Sequence, residues 1–132
     1  MRRLGLRGKA MARILLADDD AASRDLVRKA LAADGHVVQI AESGLQADEY
    51  FTASAEAFDL LVTDINMPGM NGHELALIAR ARYPAIHIIM MSGLIEQLDR
   101  AKTMSDRPVL TIPKPFTLEQ MRQLVRTALG ST

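Results

Sequence analysis

Apolar runs and helical patterns alternate along the chain from Arg13 to its end. Residues 14–17 (Ile14, Leu15, Leu16, Ala17) form a short unbroken apolar run, the mark of a strand covered on both faces. Leu26, Val27, Ala30 and Leu31 then recur at helical spacing, and Gly35 ends that helix. Residues 37–40 predict a second strand. Leu45, Tyr50 and Phe51 belong to a helix opened by Ser43, and residues 60–62 predict a third strand. Asn66, Met67, Pro68, Gly69, Met70, Asn71 and Gly72 read as a turn-forming loop. Leu75, Ile78 and Ala79 mark the next helix, which stops near Tyr83 and Pro84. Residues 86–91 and 109–112 predict the fourth and fifth strands. Between them, residues 94–106 form the weakest helix, with a stripe of Ile95, Leu98 and Met104. In the last helix Thr117 and Gln120 form a capping box, and Leu118, Met121, Leu124, Val125 and Ala128 make one apolar stripe.

Five strands alternating with five helices predict an α/β fold: a doubly wound, five-stranded parallel sheet with helices on both faces. In such a sheet, sites form beyond the carboxyl ends of the strands. Asp18, Asp19 and Asp20 follow the first strand, Asp64 the third, Ser92 the fourth and Lys114 the fifth. Each alone has a plain structural reading. Asp20 suits a helix cap, Asp64 could open a turn, and a lone Ser or Lys after a strand is usually a turn residue or a solvated charge. Polar groups of one chemistry at four of five strand ends outweigh those readings.

Asp18, Asp19 and Asp64 would crowd together if the first and third strands are neighbours. Two like charges 4 Å apart repel by about 4 kcal/mol at an effective dielectric near 20. Such a cluster calls for a raised pKa, a cation or both. A hard divalent cation with oxygen ligands, magnesium above all, suits it. With a lysine and a hydroxyl beside one carboxylate, the set suits phosphoryl transfer, and a carboxylate can itself carry the phosphoryl group. Lys114 precedes Pro115, which restricts it to extended conformations and aims its side chain. His36, His73 and His87 show no metal-binding spacing and receive no role.

Composition narrows the picture. The 132 residues suit one domain. Cysteine is absent, which excludes disulfides, zinc–thiolate sites and a cysteine nucleophile and is compatible with a reducing cytoplasm. The 16 basic and 16 acidic residues cancel, so the overall charge does not point to nucleic acid. Arg2, Arg3, Arg7 and Lys9 concentrate positive charge before Met11. Residues 1–11 are expected to be a disordered basic tail, or to reflect a start codon placed ahead of Met11, with the folded domain spanning 12–130. No apolar run reaches membrane-spanning length.

The stretches Ile14 to Asp20, Val62 to Gly72, Met91 to Gly93 and Pro113 to Phe116 resemble the response-regulator receiver family, the phosphoacceptor half of two-component signalling. The resemblance runs from about Arg13 to Leu129. It implies a flavodoxin-like strand order 2-1-3-4-5. It further implies that Asp64 accepts phosphate from a histidine kinase or phosphotransfer protein. Asp19 and Asp64 would bind magnesium directly, Asp18 through water and Asn66 through its backbone carbonyl. Ser92 would turn to the phosphoryl group, Lys114 would pair with it, and the Lys114–Pro115 bond would be cis. One departure stands out: Thr111 occupies the position, three before the lysine, where the family often has an aromatic that moves with the hydroxyl. The expected role is a stand-alone, cytoplasmic signalling protein, a monomer or weak dimer. It would have no DNA-binding domain and no enzymatic activity beyond its own phosphorylation and dephosphorylation, and its output would run through an unknown protein partner. The rivals are a phosphorelay intermediate or phosphate sink, a small aspartate-nucleophile phosphatase using Asp18 and Asp20, and a flavin-binding protein. Three carboxylates after the first strand would repel a flavin phosphate, which counts against the last.

Overall fold

The computed structural model describes residues 12–103 and 107–130. The basic start of the chain and Met104 therefore lie outside the described residues. Strands β1 (Arg13–Ala17), β2 (Val37–Ala41), β3 (Leu60–Asp64), β4 (His87–Ser92) and β5 (Leu110–Pro113) form one parallel sheet in the order β2-β1-β3-β4-β5. Helices α1 (Ala21–Ala33), α2 (Gly44–Ala53), α3 (Gly72–Arg82), α4 (Ile95–Lys102) and α5 (Leu118–Gly130) alternate with them. This is the expected doubly wound, flavodoxin-like architecture with the expected strand order.

The apolar runs are explained by burial on both sides. Leu15, Leu61, Ile88 and Met90 face a core closed by α2, α3 and α4 through Phe51, Leu75, Ala79 and Leu98. Ile14, Leu16, Val62, Ile89 and Met91 face a second core closed by α1 and α5 through Val27, Leu31, Met121 and Val125. Alternate residues of the central strands β1, β3 and β4 thus serve opposite cores, which leaves polar residues only toward their ends, whereas the edge strands β2 and β5 carry Gln39 and Thr111 in mid-strand. Three of the five aromatics gather in one place, where Phe51, Phe58 and Tyr83 meet edge-on at 5.6–6.2 Å between ring centres.

Most helix ends follow local rules. Asp20 Oδ1 accepts from the Ala22 amide at 3.2 Å, and Ser43 Oγ from the Gln46 amide at 3.1 Å. Thr117 and Gln120 close the expected capping box at 3.0 and 2.8 Å. Asn71 and Glu74 close a second box, unforeseen from the pattern, that starts α3. Gly35, with φ +95°, ends α1 in a backbone conformation that a side chain would oppose.

The stripes were only partly placed. Each of α1, α2, α3 and α5 is docked by a pair four residues apart: Val27 and Leu31, Ala47 and Phe51, Leu75 and Ala79, Met121 and Val125. Leu26 and Leu45, counted in the stripes, stay mostly exposed. Helix α4 is shorter than the expected 94–106. Ile95 is 70% exposed, and the small Ala101 joins Leu98 on the buried face.

Across the second core, Arg122 of α5 grips Asp34 at the end of α1, with Nε donating to Oδ2 at 3.0 Å. The guanidinium holds the Asp34 carboxyl below its ordinary value of 3.8. The stability this adds is present above that value and is lost as pH falls through the lower folded value. Asp34→Asn is therefore expected to lower the urea midpoint at pH 7 and to leave it unchanged well below pH 3, where both chains are uncharged at this position. A difference that persists into acid would mean that the pair acts by packing alone.

Candidate functional site

Register brings the strand ends together. Ala17 pairs with Thr63, Asp64 with Met91, and Ser92 with Pro113. One residue on from each pairing, Asp18 stands beside Asp64, Ser92 follows Met91, and Lys114 follows Pro113. All lie at one rim of the sheet.

Asp18 is fully buried, and Asp64 and Ser92 are nearly so. Lys114 Nζ donates to Asp64 Oδ2 at 3.1 Å and lies 3.9 Å from Asp18 Oδ2. One carboxylate oxygen from each of Asp18, Asp19 and Asp64 lies within 4.8 Å of the others. Asp19 is exposed. Asp18 Oδ1 accepts from the Asp20 amide at 2.9 Å, while its buried Oδ2 has no hydrogen-bond partner among the described residues. Burial pushes the Asp64 carboxyl above its ordinary range. Lys114 pulls it back by hydrogen bond and charge, and the charges of Asp18 and Asp19 add to the rise.

These features can be tested against a divalent cation. Among the described residues, three carboxylates gather by the Lys114 ammonium, and one buried carboxylate oxygen has no hydrogen-bond donor. Such an oxygen is costly unless a cation or water completes it. Its neighbours are hard oxygen ligands suited to magnesium. The residues therefore fit a divalent ion, with Asp18, Asp19 and Asp64 as the groups able to hold it.

The backbone behind Asp64 is held closely. Thr63 Oγ1 donates to the Asp64 carbonyl at 2.9 Å, and the Gly72 amide donates to the Ile65 carbonyl at 2.9 Å. The Lys114–Pro115 bond is cis, as the resemblance implied. Beside Thr111 lies a cavity of about 410 Å³ between β5 and α5, lined also by Gln123 and Leu124.

Ser92 sits at the rim but is engaged elsewhere. Its hydroxyl donates to Gln97 Oε1 at 2.6 Å and accepts from the Leu94 amide at 3.0 Å. Gln97 also pairs reciprocally with the Asn66 side chain: Asn66 Nδ2 donates to Gln97 Oε1 at 2.8 Å, and Gln97 Nε2 donates to Asn66 Oδ1 at 2.9 Å. Gln97 had no signal in the sequence. It looks like a solvated residue of α4, and its partner Asn66 is 31 positions away.

Comparisons with known proteins agree with this geometry. The family model described as "Response regulator receiver domain" matches residues 14–126. The chain is 36% identical over 124 residues to the response regulator protein FleR of Pseudomonas aeruginosa, covering 90% of this chain and 25% of that one. It is 34% identical over 122 residues to the transcriptional regulatory protein TctD of Salmonella typhimurium, covering 89% and 54%. Among solved structures it resembles the chemotaxis response regulator CheY4 of Vibrio cholerae, with a TM-score of 0.79 and 27% identity, covering 91% of this chain and all of that one. With a parallel sheet ordered 2-1-3-4-5 and an acidic, lysine-bearing rim, the chain belongs to the response regulator receiver domain family of two-component signalling. It spans a quarter to about half the length of the curated relatives named. Among the described residues no helix is long and apolar enough to cross a membrane.

Proposed function

We propose that Asp64 is the phosphoacceptor, and that its phosphorylation changes how the α4–β5–α5 face binds a protein partner. The observation that carries this reading is the Lys114 ammonium 3.1 Å from a buried Asp64 whose charge is disfavoured, beside an Asp18 oxygen with no hydrogen-bond partner among the described residues. A carboxylate so placed gains from becoming part of an ester whose charge Lys114 can pair.

An Asp64 oxygen attacks the phosphorus of a phosphohistidine on a histidine kinase or phosphotransfer protein. The phosphorus–nitrogen bond breaks, and its electron pair returns to the imidazole, which leaves and takes up a proton. Magnesium, when bound by Asp18, Asp19, Asp64 and the Asn66 carbonyl, supplies neutralising charge to the phosphoryl oxygens. Lys114 holds the acceptor before transfer and the phosphoryl charge after it. Ser92 offers the remaining hydrogen-bond donor. We take residues 12–130 as the receiver unit and the cytoplasm as its setting, with no catalytic role beyond its own phosphoryl chemistry. Thr111 favours a second reading, a relay intermediate or phosphate sink, because the usual aromatic switch residue is missing there.

Incubation with acetyl phosphate and magnesium, followed by intact mass, tests the acceptor. One added phosphoryl group is expected on the native chain, on Asp18→Asn at reduced yield, and not on Asp64→Asn. Label that survives Asp64→Asn and is lost only on Asp18→Asn would instead point to phosphatase-type chemistry after β1.

A further inference from the structure

We propose that Gln97 is a positioning residue that latches Ser92 in the unphosphorylated state and couples release of that hydroxyl to helix α4. This rests on the reading of Asp64 as the phosphoacceptor and names the regulation built into that site.

The Ser92 hydroxyl has one proton, and that proton is committed to Gln97 Oε1 at 2.6 Å. One of the oxygen's lone pairs is taken by the Leu94 amide. The hydroxyl can therefore donate to Gln97 or to a phosphoryl oxygen on Asp64, but not to both. Gln97 also holds Asn66, two positions after Asp64, through two hydrogen bonds. A single side chain thus ties together the end of β4, the loop after β3 and the first turn of α4.

Helix α4 has little else to hold that turn. It has eight residues and no side-chain hydrogen bond at its N-cap, and Leu94 and Ile95 are 52% and 70% exposed. Its buried anchors, Leu98 and Ala101, lie later in the helix. When Ser92 turns to the phosphoryl group, Gln97 loses its hydroxyl donor and the first turn of α4 loses a tether. The switch thereby reaches a surface without an aromatic at Thr111. Linkage makes the effect reciprocal: whatever holds Gln97 on Ser92 opposes phosphorylation, and removing Gln97 favours it.

The test uses the full chain with beryllofluoride and magnesium as the phosphoryl mimic. Gln97→Ala is expected to bind the mimic about three- to ten-fold more tightly than the native chain, the worth of one hydrogen bond. Before any ligand is added, its amides at the start of α4 should exchange hydrogen faster, while those of the central strands stay protected. Gln97→Glu, which keeps an acceptor for Ser92, should show no gain in affinity. In a Ser92→Ala background the gain from Gln97→Ala should vanish, because the latch acts through that hydroxyl. Native affinity or weaker in Gln97→Ala, or the same gain without Ser92, would overturn the latch while leaving the acceptor assignment intact. If the native chain binds no mimic and acetyl phosphate leaves Asp64 unlabelled, the acceptor reading fails and the latch with it.

Discussion

Gly72→Ala is expected to lower the free energy of unfolding by about 3 kcal/mol. A Cβ built at Gly72 would lie 2.5 Å from the Asp64 carbonyl oxygen and 2.9 Å from Ile65 Cα. Both are backbone atoms of the chain leaving β3, so neither can swing aside as a side-chain tip could. The start of α3 would have to retreat, which stretches the Gly72 amide to Ile65 carbonyl bond of 2.9 Å. The Asn71–Glu74 capping box resists that movement, because it fixes the first turn of the helix. Relief must come partly from β3 itself, and Asp64 would move with it. Urea unfolding gives the cost. Gly130→Ala serves as the control, since a Cβ there meets no atom of the described residues within 4 Å, and it should stay within about 0.5 kcal/mol of the native chain. A loss at Gly72 no larger than the control's would show that β3 and α3 can part without penalty.

Asp64→Asn is expected to stabilise the metal-free protein at neutral pH by about 1 kcal/mol. The sign follows from the raised Asp64 carboxyl. A folded state that binds this proton more tightly than the unfolded chain loses stability as pH rises from the ordinary value of 3.8 through the folded one. Above that window the ionised group is a net burden, relieved only in part by Lys114. Asparagine keeps the shape and removes the charge. Thermal unfolding in EDTA should show the gain at pH 7 and its disappearance near pH 3, where the native carboxyl is protonated in both states. Added magnesium should raise the native melting temperature and narrow the gap, because only the native chain offers the ion its third carboxylate. A native chain more stable than Asp64→Asn in EDTA would mean that Lys114 outweighs burial and the neighbouring charges.

The sequence was most informative where a residue's neighbours along the chain decide its environment. Short runs such as Leu60, Leu61 and Val62, alternating with helical patterns, read as strands covered on both faces, and the polar residues that end them then lie at a rim. From that, the meeting of Asp18, Asp64 and Lys114 could be expected before any coordinates. Caps at Asp20, Ser43 and Thr117 were legible for the same reason, since each acts within three residues. Asn71 and Glu74 obey the same rule but sit inside a Pro-Gly loop, whose turn character masked the box. Leu26 and Ile95 were misplaced because a stripe drawn on a helix does not say how much of it the sheet beneath will cover. Gln97 was illegible in principle. Its meaning comes from Asn66 and Ser92, which join it only through the packing of α4 against β4 and the loop after β3. The direction of the Ser92 hydroxyl was hidden with it.

Asp18, Asp64 and Lys114 come from three strands, and the lysine is 50 positions from the aspartate it grips. Asp18 and Asp64 meet through the direct pairing of β1 with β3, whereas Lys114 follows the edge strand β5, which pairs only with β4. The carboxylate–lysine arrangement is therefore a property of the whole sheet and not of any one strand–helix unit. On the proposed acceptor role, a copy in which the β5 edge has come away keeps Asp18 and Asp64 but loses the lysine that pairs their charge.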